Sequence, residues 1–98
     1  MDDTSARVGI LLINLHIPQS RSLKNRRQVV KALQDRMRAK FNVSVADIEG
    51  NDKWQRCQLG VSMISNSETL IEAALQKALL LVQESGSVEV LEAHLEIL

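Results

Sequence analysis

Six segments of regular apolar spacing follow one another along the 98 residues, with periods of two, 3.6, two, two, 3.6 and two. That order narrows the fold more than any motif does. In the first segment, residues 6–17, Gly9, Leu11, Ile13, Leu15 and Ile17 share one face of a strand. Val8, Ile10, Leu12, Asn14 and His16 share the other. Both faces are largely apolar, which predicts a central strand. Pro18 ends it, because proline has no N–H for the ladder.

Ser22 is placed to cap a helix that runs to about Lys40. Leu23, Val30, Leu33, Met37 and Phe41 form its apolar stripe, widened by Val29 and Ala32. Residues 42–49 return to β-branched alternation through Val43, Val45 and Ile48. Their change of parity predicts a bulge or an edge near Ala46. Gly50, Asn51 and Asp52 are turn formers, and residues 55–65 read as the return strand of a hairpin. Ser65, Asn66 and Ser67 precede a second helix reaching about Glu84. Its expected buried side is Leu70, Ile71, Ala74, Leu75, Ala78, Leu79 and Val82. Gly86 stops it, and residues 88–97 make the last strand, with Leu91, Ala93, Leu95 and Ile97 on one face.

The order β-α-β-β-α-β is that of a ferredoxin-like α+β sandwich. Two helices cover one face of a four-stranded antiparallel sheet, the first and third strands are central, and the other face is open. The length suits one domain spanning residues 1–98, with residues 1–5 as a tail. Phe41 and Trp54 are the only aromatic residues, so the core is aliphatic. Cys57 is the single cysteine, which excludes an intrachain disulfide or a cysteine-cluster zinc site and fits a reducing, cytoplasmic setting. The acidic, polar N-terminus is the opposite of a signal peptide, and no apolar run approaches a membrane span. No membrane partner is expected.

A net charge of zero conceals an asymmetry. Residues 21–40 carry eight cations and one acid, whereas residues 66–98 carry six acids and one cation. The chain is dipolar.

Three stretches, VGILLINLHIP, SRSLKNRRQVVKAL and FNVSVADIEGNDKWQRCQLGV, resemble the YlxP-like bacterial family, a domain of unknown function. Its pattern IPxxxSLKxKRxVVxxL is matched at Pro18, Ser22, Leu23, Lys24 and Arg27. FNVSVAE is matched through Phe41, Asn42, Val43, Ser44 and Val45, and D-x-W-Q-R-x-x-L-G through Asp52, Trp54, Gln55, Arg56, Leu59 and Gly60. The chain departs at Asn25 and Arg26, where the family often has an acid and a lysine, and at Asp47, where glutamate is common. The missing acid removes a capping-box partner for Ser22. The resemblance implies a ferredoxin-like fold, a cytoplasmic location and no established enzyme activity. The gene neighbourhoods of family members imply a link to ribosomal RNA.

Three groups of residues are candidates for function. The first is the basic helix start: Arg21, Ser22, Lys24, Arg26 and Arg27. A helix N-terminus offers free N–H groups and the positive end of the dipole to an anion. Cations there oppose the dipole, and a local rule broken without gain points to a binding role. The alternative is that these side chains are solvated or pair with Glu68, Glu72 and Glu84. The second is the hairpin, Lys53, Trp54 and Arg56, where a tryptophan between cations can stack on a base or anchor a subunit contact. The third is His16 and His94, both on the open face and about four residues apart along it, roughly 13 Å at strand rise and too far for one metal ion. Cys57 falls on the core face and is expected to be inert.

No catalytic constellation is recognisable, so no enzyme activity, cofactor or metal is expected. The leading expectation is binding of RNA or a ribosomal particle by the basic helix start and the hairpin. The second is a homodimer or protein-interaction module that covers Ile10, Leu12 and Trp54, since an uncovered sheet face leaves an apolar patch. A small-molecule enzyme built as a dimeric barrel around His16 and His94 is a third, disfavoured by the lack of pocket aromatics.

Overall fold

The computed structural model describes residues 5–49 and 53–98. Most of the N-terminal tail and the turn at Gly50, Asn51 and Asp52 lie outside the described residues. The elements are β1 (Arg7–His16), α1 (Leu23–Lys40), β2 (Ser44–Glu49), β3 (Arg56–Ser65), α2 (Glu68–Gln83) and β4 (Glu89–Ile97). They form a ferredoxin-like α+β sandwich with the sheet order β2-β3-β1-β4. All three pairings are antiparallel, with β1 and β3 central as the ferredoxin-like order predicts. No described helix is long and apolar enough to cross a membrane.

The core lies between the sheet and the two helices. Leu11, Ile13, Leu15 and Ile17 of the first strand segment meet Cys57, Leu59 and Val61 of β3. Val30, Leu33 and Met37 come down from α1, and Ile71, Leu75, Ala78, Leu81 and Val82 from α2. At Gly9 α2 packs close against the backbone: a side chain there would strike Ile71 and Leu75. Gly86 takes a φ of 78°, the left-handed conformation that turns the chain from α2 toward β4.

Two expectations about α2 and β4 need correction. Leu70 is 48% exposed, whereas Leu81 is buried. The helix is rotated so that Ile71, Leu75, Ala78 and Val82 centre the buried stripe, which puts Leu70 at its margin. In β4 the register with β1 slips between Asn14 and Leu15, so Leu91 falls in a bulge and leaves the core face. In β2 the register with β3 stays regular through Ala46 and Asp47 and shifts only between Asp47 and Glu49, so the irregularity lies beyond Ala46 and the even-numbered Ile48 leaves the core face by plain alternation.

Candidate functional site

The start of α1 is built from its own sequence. Ser22 is the N-cap, with extended backbone and an Oγ that accepts the Asn25 N–H at 3.1 Å. Asn25 answers with its Oδ1, which accepts the Arg21 N–H at 3.3 Å. The amide reaches back as a capping-box glutamate does, but to the N–H one residue before the cap, and without adding an acid. The first turn therefore holds no negative charge.

Two tethers bring the β2–β3 hairpin to this helix start. Gln55 is the first. Its carbonyl accepts the Ile17 N–H at 2.9 Å, and its Nε2 donates to the Ser20 carbonyl at 3.3 Å. Arg26 is the second, and it is 1% exposed. Its Nη1 and Nη2 donate to the two carboxylate oxygens of Asp47 at 2.8 and 3.0 Å. Its Nε donates to the Arg56 carbonyl at 2.7 Å. This is the two-pronged arginine–carboxylate geometry, in which direction as well as charge is fixed. Cys57 closes the cluster, with Sγ 3.5 Å from Asp47 Oδ1. Burial first, and the Asp47 carboxylate second, push the Cys57 thiol up to about 12.

Arg26 therefore leaves the set of anion-binding candidates and becomes part of the core boundary. The reason is helical phase. It sits four residues before Val30 and seven before Leu33, on the buried stripe. The stripe read from the sequence jumps from Leu23 to Val30, and Arg26 fills that gap. Asp47 and Ser20 were also missed as site-building residues, whereas Gln55 belongs to the hairpin stretch the sequence singles out. A buried cation needs a carboxylate partner, and Asp47 at core parity next to Cys57 was the signal available.

The other cations stay outside. Arg21, Lys24, Arg27, Lys53 and Arg56 are exposed, and none forms an ion pair among the described residues. Trp54, between Lys53 and Arg56, is 50% exposed. The acids of α2 do not neutralise the helix start. Glu68 pairs with Arg7, Glu72 accepts from Gln76, and Glu84 lines a cleft with Arg36, Lys40 and Lys77. Two cations further along α1 are satisfied locally: Lys31 and Arg38 pair with Asp35, and Arg38 also donates to the Val45 carbonyl.

On the open face, Ile10 and Leu12 are half-buried. Ile48, on the open face by the alternation of β2, leans over Gly60 beside Leu12. Ile64 pairs with Val8 at the far end of that face. The histidines are separated as expected, since His94 pairs with Leu12, four residues from His16. His16 lies 3.6 Å from Glu89 and His94 lies 4.0 Å from Glu96. No group of three or more metal-ligating side chains exists among the described residues.

The family profile described as "Protein of unknown function (DUF503)" matches residues 8–95. A curated relative, "Uncharacterized protein YlxP" of Bacillus subtilis (strain 168), is 37% identical over 68 residues, covering 69% of this chain and 74% of the relative. Among solved structures, "De novo designed protein Foldit4" superposes with a TM-score of 0.54 at 15% identity, covering 92% of this chain and 96% of that one. That likeness concerns the fold alone. The profile and the relative agree on the rest: the chain belongs to the YlxP-like family of proteins of unknown function, DUF503.

Proposed function

We propose that this protein binds RNA, as free RNA or within a ribosomal particle, through the exposed cations of the α1 start and the hairpin. The carrying observation is the half-exposed Trp54 between Lys53 and Arg56, on a hairpin tethered to the helix start that carries Arg21, Lys24 and Arg27, none of these cations being ion-paired among the described residues. Cations without partners hold counterions that a phosphate backbone can displace. A half-exposed indole can stack on an unpaired base at roughly 1–3 kcal/mol. Gln55 and Arg26 hold the two groups together, so they act as one surface rather than as two mobile segments. Ser22 contributes as the cap that orients the helix start. The test is co-sedimentation with ribosomal RNA or ribosomes. Lys24→Glu with Arg27→Glu is expected to abolish it and leave the melting curve unchanged. Equal binding by this variant and the wild type removes the reading.

A second reading, a protein-contact surface on the open sheet face, draws on Ile10, Leu12, Ile48 and Ile64. Leu12→Glu is expected to abolish association through that face without unfolding the chain.

A further inference from the structure

The two edges of the sheet are not equivalent. β2 is six residues long and bulged, and its Asp47 is held inward by Arg26. β4 is nine residues long, contains no proline, and keeps regular register with β1 from Glu92 to Ile97. The Leu98 N–H donates to the Val8 carbonyl at 2.8 Å. Backbone direction alternates in an antiparallel pair, so Glu96, His94 and Glu92 also turn their N–H and C=O toward β1. Ala93, Leu95 and Ile97 turn theirs outward, where β4 has no neighbouring strand in the sheet.

The side chains along this edge state what can pair with it. On the open face stand Glu92, His94 and Glu96, all exposed. On the helix face stand Ala93, which is small and exposed, and Leu95 and Ile97, which are half-buried. Two identical edges would bring acidic rows together, which disfavours a second copy. A strand that alternates cationic and apolar residues meets no such penalty. Its cations would face Glu92 and Glu96, and its apolar side chains would extend the surface of Leu95 and Ile97.

We infer that β4 is a docking edge for an extended, basic segment of a partner protein, added as a fifth strand along residues 92–98. The backbone of Ala93, Leu95 and Ile97 supplies the hydrogen bonds, and the acidic row selects the charge. This surface is at the opposite edge of the sheet from the cations of α1 and the hairpin, so it is independent of RNA binding.

The probe is a synthetic peptide alternating lysine and valine, added to the full chain while amide hydrogen exchange is followed residue by residue. Binding is expected to slow exchange at Ala93, Leu95 and Ile97, with little change at Glu92, His94 and Glu96, which are already bonded to β1. Glu92→Lys with Glu96→Lys, both at exposed positions, is expected to weaken binding by more than about tenfold. Lys24→Glu with Arg27→Glu is expected to leave it intact. Absence of binding overturns the inference. So does equal binding by a peptide of the same composition with its lysines in one block, binding without protection of the three outward amides, or a chain that pairs through β4 with its own copy.

Discussion

Arg26 carries two duties at the residue scale: it fills a position on the buried stripe of α1, and it fixes the hairpin through Asp47 and the Arg56 carbonyl. Removing the buried arginine takes the donors away from the Arg56 carbonyl and from the partly exposed Asp47 carboxylate, so Arg26→Ala is expected to cost roughly 1–3 kcal/mol in a denaturant melt. Arg26→Met with Asp47→Leu, which removes both charges and keeps volume, is expected to recover much of that loss. A double variant no more stable than Arg26→Ala would show that the geometry of the pair, not its desolvation, sets the stability. Cys57 gives a pH test in the same cluster. Its thiol titrates at an ordinary value of 9.0 when unfolded and at about 12 when folded. Between those values the unfolded chain binds fewer protons than the folded one, so stability falls as pH rises through that window and is fully present below it. Melts at pH 8 and pH 10 of the wild type and Cys57→Ala are expected to diverge in that direction. The sequence made the core parity of Cys57 readable, because strand alternation is strict. It hid Arg26, because an arginine reads as a surface residue until its phase with Val30 and Leu33 is weighed against its charge.

At the scale of elements, α1 separates buried support from exposed charge along one helix. Leu33 and Met37 are buried against the sheet, while Lys24 and Arg27 in the first turns are exposed. Leu33→Ala is expected to cost roughly 2–5 kcal/mol through lost burial and a cavity. Arg27→Ala is expected to change stability little, because exposed charges contribute about 0–1 kcal/mol even when paired. Paired denaturant melts and RNA-binding assays check both. If Arg27→Ala destabilises as much as Leu33→Ala, the arginine belongs to the core boundary with Arg26. The six elements were legible because each keeps its period over several residues. The phases that slipped, at Leu70 and Leu91, lie where a helix face is broad or a bulge inserts a residue that alternation does not announce.

Across the whole molecule, the sheet order turns the charge asymmetry of the sequence into a spatial one. The cation-rich α1 packs against β2 at one edge of the sheet, and Glu89, Glu92 and Glu96 line β4 at the other. A neutral chain of this kind presents a positive side to a polyanion while keeping its acids at the far edge. The most direct measurement is the salt dependence of RNA affinity for the wild type and for Lys24→Gln with Arg27→Gln. Five cations acting on a single strand predict a log–log slope of roughly −3.5, and losing two is expected to bring it to about −2. Affinity that is undetectable at low salt, or a slope that the double variant leaves unchanged, would contradict the account.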